Sequence, residues 1–435
     1  MQSIVNALPI FSWVKFYNMS ILRSDLLAAV IVTTLLIPQA MAYALLAGLP
    51  PVVGLYSTSL PLVVYAVFGS SRTLSVAPMA IASLMTAVAL SEVAIQGTSD
   101  YLSAAILLAF MSGLFLLVLG RLKLGFLADF LSYPVISGFI TASAIIIALS
   151  QFKHLLGIES SGSNIIELSS SIIKNINTLD IMTVLIGFGV LLFLYLSKNF
   201  GETVFTKLGL PKGLAGALGK ASPLMAILAS IFIVIGFNLE KEGVSVVGEI
   251  VVGLPALGLP LFSYELIKGL IIPAILISVI GYVESVAIAK KLAAKSGEKI
   301  NPNQELIGLG AANIASSFSG GFAVAGSLSR TTVNFNSGAK TQAASIYAAI
   351  LVLLASLTLT PILSYLPKAA LGATIMIAVS SLIDFSVFKI TWNFHRSDFY
   401  AIFITFFVTL FLGVELGLMS GVLTSIFLLL YFLNK

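Results

Sequence analysis

The stretch FAVAGSLSRTTVN, residues 322–334, places an arginine and two serine hydroxyls in a region that is otherwise strongly apolar. An intramembrane arginine is costly, and it is kept where it faces a cavity, a partner or a substrate. Gly320, Gly321 and Gly326 permit backbone geometry that a continuous helix does not need. The pattern predicts extended chain over 322–326, then a short helix beginning near Ser327. A helix that starts inside the membrane leaves unpaired N–H groups, and the positive end of its dipole, at that start. Ser327, Ser329 and Arg330 sit there, and together they describe an anion site. The plainer reading is a kinked membrane helix whose arginine snorkels to a headgroup.

A second interrupted segment argues against the plainer reading. SRTLSVAPMAIASLM, residues 71–85, also opens on polar and extended-favouring residues and then becomes helical. Pro78 suits a first helical turn, where its missing N–H costs nothing. Two broken hydrophobic segments in corresponding halves of a chain point to a transporter's binding site. Gln39 and Tyr43, four apart and just after Pro38, share a helix face and make a third wall. Gln39 serves either a ligand or a neighbouring helix, and Tyr43 by itself reads as packing. Glu284, in SVIGYVESVAIAKK, ends a long apolar run. Such a carboxylate either exchanges a proton during a cycle or holds a structural ion pair with Arg330 or a lysine.

These residues need a scaffold, and the composition names it. Of 435 residues, 58% are hydrophobic and 9% charged. That excludes a soluble globular domain and fits an all-α polytopic membrane protein, since only helices and closed barrels satisfy their backbone in lipid. The apolar runs are too long for barrel strands. Fourteen apolar segments can be counted. The third (76–90) and tenth (327–336) are too short to cross about 30 Å of hydrocarbon as helices, so they read as half-helices preceded by short extended strands. Residues 1–24 form an interfacial lead-in, 25–240 a first repeat, 241–262 an extracellular connection and 263–435 a second repeat. Seven segments per repeat make the two inverted in orientation. Basic residues gather on one side, at Arg121, Lys123, Lys198, Lys207, Lys212, Lys220, Lys290, Lys291, Lys295, Lys299, Lys340, Lys389 and Arg396. This predicts both termini in the cytoplasm.

No enzyme constellation is visible. There is no cysteine, and the two histidines, His154 and His395, lie far apart near segment ends, so neither a metal site nor a cofactor is expected. The net charge of +5 is spread among loops and does not predict nucleic-acid binding. Asp129, Asp384 and Asp398 read as end caps, Glu305 as a first-turn complement to a helix dipole, and Glu415 as structural. Gly308, Gly310 and the small residues after them permit close helix approach.

IPQAMAYALLAGLPPVVGLYS, GSSRTLSVAP, YVESVAIAK and SLSRTTVNFNSGAKTQ together resemble the sulfate permease (SulP) family of anion transporters, which includes prestin. The resemblance runs from about Asp25 to the end of the chain. It implies two inverted seven-helix repeats divided into core and gate domains, and a homodimer in the plasma (inner) membrane. It places the anion between Val76 and Ala77 on one side and Leu328 and Ser329 on the other. Tyr43 matches an aromatic of the family's site, Gln39 its neighbour, Arg330 an arginine near the anion, and Glu284 an acidic position linked to proton or sodium coupling. Family members usually carry a cytoplasmic STAS domain after the last helix, where this sequence ends at Lys435. The expected function is secondary transport of sulfate, bicarbonate or a similar small anion by an elevator-like motion. An uncoupled exchanger, a channel and a dicarboxylate carrier stay open as alternatives.

Overall fold

The computed structural model describes residues 8–126, 133–207, 209, 219, 221–248, 257–358, 360–394 and 396–433. The expectations placed on Asp129, Lys212, Lys220, His395 and part of the 241–262 connection lie outside these residues.

The chain is a sequence of helices with one two-stranded interruption. In the first half come α1 (Ile10–Val14), α2 (Met19–Leu46), α3 (Pro51–Tyr56), α4 (Leu60–Phe68), β1 (Val76–Ala77), α5 (Ala80–Ser91), α6 (Ser99–Arg121), α7 (Tyr133–Ser150), α8 (Phe152–Leu156), α9 (Ile165–Asn175), α10 (Ile181–Lys207) and α11 (Ser222–Gly236). In the second half come α12 (Tyr264–Ser296), α13 (Pro302–Phe318), β2 (Ala325–Gly326), α14 (Leu328–Asn336), α15 (Ala343–Thr358), α16 (Thr360–Leu363), α17 (Lys368–Ser380), α18 (Ser386–Phe394), α19 (Arg396–Leu412) and α20 (Val414–Leu433). Six of the described helical spans are long and apolar enough to cross a membrane.

Local chemistry sets several boundaries. The Asn18 side chain caps α2, Thr98 caps α6, Asn164 caps α9 and Asn301 caps α13. Pro38 lies inside α2 without ending it. Pro78 does not enter the first turn of α5, which begins at Ala80 with Met79 as its cap residue. Proline instead closes the strand: it has no N–H to donate, and it holds the preceding residue extended.

The helices pack in two groups. One comprises α2, α4, α6, α12, α13 and α15, and the other α7, α10, α11, α17, α19 and α20. Contacts of α2 with α11 and α17, and of α5 with α7, join them. Within the first group, α6 and α13 meet almost backbone to backbone. A Cβ on Gly113 would stand 2.7 Å from the Gly310 carbonyl oxygen, and one on Gly310 would stand 2.8 Å from the Gly113 carbonyl oxygen. In a membrane, where lipid is as apolar as leucine, such close contact replaces hydrophobic drive as the source of packing.

Candidate functional site

β1 and β2 pair antiparallel, Val76 with Gly326 and Ala77 with Ala325. This short ladder satisfies backbone groups where both helices are broken. Beyond it, Ser327 N donates to Ser75 O at 3.2 Å, and Ser75 N donates to Thr331 Oγ1 at 3.1 Å. Asn313 of α13 clamps Val324, accepting from its N–H at 2.9 Å and donating to its carbonyl at 2.8 Å. Gly326 N donates to Ser285 Oγ on α12 at 2.8 Å. A Cβ on Gly326 would lie 2.9 Å from that oxygen and 2.7 Å from Leu74 Cδ1, so a larger residue here would displace both side chains.

Two helix N-termini emerge from the ladder, α5 after Met79 and α14 after Ser327. Neither has a side-chain cap hydrogen bond, unlike α2, α6, α9 and α13. Their first N–H groups therefore keep their capacity to bind an acceptor. Ser327 and Ser329 are 3.3 Å apart through their hydroxyls.

Arg330 is fully buried. Its Nη1 donates to Gln39 Oε1 at 3.3 Å and its Nη2 to Ala77 O at 3.2 Å, while Nε is buried without a partner. Both acceptors are neutral, and among the described residues no direct ion pair joins Arg330 to a carboxylate. Glu284 is also buried, its Oε2 has no hydrogen-bond partner, and it is close enough to Arg330 for their charges to interact.

Tyr43, Glu284, Ser327, Leu328 and Ser329 converge on one small cavity of about 20 Å³, closed on the α5 side by Met79, Ala80 and Ile81. Leu328, Ser329 and Gln39 also line a vestibule of about 530 Å³. It runs past Thr332 and Thr374 to Lys198 and Glu202 on α10. Val76 and Ala77 stand behind the small cavity, in β1. Ala77 contributes its carbonyl to Arg330, and on this side the small cavity is lined by Met79, Ala80 and Ile81. Ser285 braces β2, and Tyr282 donates to Gly125 O at 2.6 Å, a packing role.

Sequence reasoning missed the clamps. Asn313 carried a signal, as a lone amide among the small residues of α13. Glu305 lies in the first turn of α13 as expected, and that position conceals a second role. Its carboxylate is buried and accepts from Tyr65 Oη at 2.8 Å, Ser70 N at 2.8 Å, Ser70 Oγ at 2.7 Å and Ser71 N at 3.0 Å. It locks the chain leading into β1.

A bundle with a broken-helix pair at its centre and an open vestibule leading to it defines a polytopic membrane permease. The chain belongs to the Sulfate permease family, whose pattern matches residues 22–405. It is 38% identical over 399 residues to Sulfate transporter 4.1, chloroplastic, of Arabidopsis thaliana, covering 91% of this chain and 57% of that protein. It is 36% identical over 382 residues to the Probable sulfate transporter MT1781 of Mycobacterium tuberculosis, covering 88% and 65%. The chain thus spans less than two thirds of these relatives. Murine Slc26a9, an anion transporter solved in an inward-facing state, superposes with a TM-score of 0.90 at 27% identity, over 99% of this chain and 72% of that one. The transmembrane domain of the cyanobacterial bicarbonate transporter BicA shares the fold, with a TM-score of 0.77 at 22% identity over 94% and 98%. The family and the named relatives are transporters, not enzymes.

Proposed function

We propose that this chain is a secondary active transporter of small anions such as sulfate or bicarbonate. The observation that carries the reading is the meeting of two uncapped helix N-termini with a buried arginine that has only neutral acceptors. Such a site lacks one negative charge, and a small oxyanion supplies it with acceptors for both helix starts. The substrate-binding residues are Gln39, Tyr43, Ser327, Leu328, Ser329 and Arg330, with Val76 and Ala77 as the supporting strand.

The scaffold reading follows. The fourteen segments form two inverted repeats, with β1–α5 third in the first and β2–α14 third in the second. The group containing α2, α4, α6 and α12–α15 is the core domain, which carries the anion. The group containing α7, α10, α11, α17, α19 and α20 is the gate. Both termini are cytoplasmic, the vestibule opens to the cytoplasm, and the protein works as a homodimer in the plasma membrane.

Glu284 couples the cycle. Ionised, it opposes the anion, and protonated, it leaves Arg330 to attract it. Proton and anion then raise each other's affinity by the same factor, which is symport. Proteoliposomes given a panel of radiolabelled anions, with and without an inward proton gradient, test this. Concentrative uptake of one anion under the gradient is expected. Exchange that ignores the gradient identifies an uncoupled exchanger, unitary currents a channel, and uptake confined to organic diacids a dicarboxylate carrier.

A further inference from the structure

α18, with sequence SVFKITWNF, packs one face inward and leaves large apolar side chains exposed at its flanks and end. Val387 and Thr391 are buried, and the Phe388 ring meets Phe406 of α19 edge-on at 5.3 Å. Its outward face carries Ser386, Lys389 and Asn393, with Ile390 (54% exposed) and Trp392 (50%) on the two flanks and Phe394 (76%) at the helix end. Three large exposed apolar side chains are more than a nine-residue helix surrounded by water carries.

This exposed apolar surface is not isolated, for the Trp392 ring meets Phe399 of α19 at 4.7 Å. It continues into α19, where Tyr400, Phe403, Ile404 and Phe411 are exposed in turn along the helix. In a family of membrane permeases, this stripe meets hydrocarbon. α18 therefore lies at the end of a lipid-facing surface, at the depth where tryptophan concentrates. Its charges suit that depth. Lys389 and Arg396 are exposed, and the Arg396 guanidinium stands 5.6 Å from the Trp392 ring centroid. Asp384, the acid at the start of α18, is engaged locally, accepting from Ser386 N at 2.9 Å and Ser386 Oγ at 2.6 Å. Asp398 sits in the first turn of α19, where the helix dipole favours it.

We infer that α18 lies in the headgroup layer of one leaflet and binds anionic phospholipid there, with Lys389 and Arg396 on the phosphates and Ile390, Trp392 and Phe394 at the acyl boundary. Amphipathic helices with this division of residues lie in the interface, and basic side chains there favour anionic lipid. That the leaflet is the cytoplasmic one rests on the topology proposed above. Asp384 also bonds through its backbone to Thr141 of α7, so the helix is fastened to the α7–α19 bundle as well as to lipid.

The test uses the full chain in nanodiscs. Trp13→Phe leaves Trp392 as the single tryptophan. Phosphatidylcholine discs containing phosphatidylglycerol are prepared with brominated chains on one lipid or the other, at equal mole fraction of the brominated species. The expected result is at least about two-fold stronger quenching of Trp392 by the brominated anionic lipid. In Lys389→Gln/Arg396→Gln the two lipids should quench equally, with Trp392 still shielded from aqueous iodide. Equal quenching in the parent overturns the anionic preference. Quenching by iodide and by neither lipid overturns interfacial placement. A disulfide-linked dimer formed by Ile390→Cys in this cysteine-free chain assigns the face to a second copy and overturns the lipid reading. Because the readout is Trp392 fluorescence and not transport, its failure leaves the transport reading untouched.

Discussion

Replacing Arg330 by methionine separates the cost of this site from its use. The guanidinium is fully buried and donates to two neutral oxygens, with Nε unpartnered. Burying a charge without an ionised partner costs several kcal/mol even after relaxation. Removing it relieves that cost but strands Gln39 Oε1 and Ala77 O, at about 1–3 kcal/mol each. The two effects are of similar size, so the melting temperature of the anion-free protein should change little. Affinity is different, because nothing compensates the lost charge-assisted bond to the anion. That bond is worth about 1.5–3 kcal/mol, or roughly 10- to 150-fold in Kd. At an anion concentration about 100 times the wild-type Kd, binding stabilises the wild type by about 2.7 kcal/mol. A variant weakened about 100-fold gains only about 0.4 kcal/mol under the same conditions. Calorimetric titration and thermal shift, each with and without sulfate, read both quantities. A variant that melts far below the wild type yet binds the anion with unchanged Kd would refute the reasoning and make Arg330 a structural residue.

Ser329→Trp should abolish anion binding while the protein still folds, because the side chain borders a cavity of only about 20 Å³ but has the open vestibule to enter; retained titration heats would remove Ser329 from the site. Glu284→Gln should keep exchange and lose uptake driven by a proton gradient, and a variant that still concentrates the anion under that gradient would leave Glu284 as a structural residue. Lys198→Ala, at the vestibule, should slow anion entry at low ionic strength and have little effect in high salt, where screening already removes the attraction; rates that fall equally in both would exclude steering. Glu167, outside the membrane segments, is held below the usual carboxylate range by hydrogen bonds from Ser163. Its contribution to ordering residues 161–171 is therefore present above the ordinary carboxylate pKa and lost as pH falls through the depressed one. Hydrogen exchange should show that loss in the wild type and not in Glu167→Gln.

The sequence exposed what is locally anomalous and hid what is paired at a distance. Arg330 stands out because arginine is rare in hydrocarbon, and the glycines before it mark broken helix. The start of α14 at Leu328 therefore lies within a residue of its expected place. Pro78 reads in sequence as a first-turn residue and instead closes a strand, since the same missing N–H suits both places. Glu305 does lie in the first turn of α13, but that position gave no sign of its four donors, which come from residues about 235 positions earlier. Ala77 shows the same limit. A backbone carbonyl carries no side-chain signal, so its bond to Arg330 is invisible until the two strands are aligned.

The pairing of β1 with β2 also bears on how the protein is made. Ser75 bonds to Thr331 across 256 residues, and the ladder beside it joins segments that leave the ribosome far apart in time. At about 5–20 residues per second, the first strand waits roughly 13–50 seconds for its partner. Until then α5 begins from a backbone with nothing opposite it, in a bilayer that offers no water to substitute. A nascent chain halted before β2 has half of the proposed site and an unmet hydrogen-bonding edge, which is the kind of surface a membrane chaperone or quality-control protease can recognise.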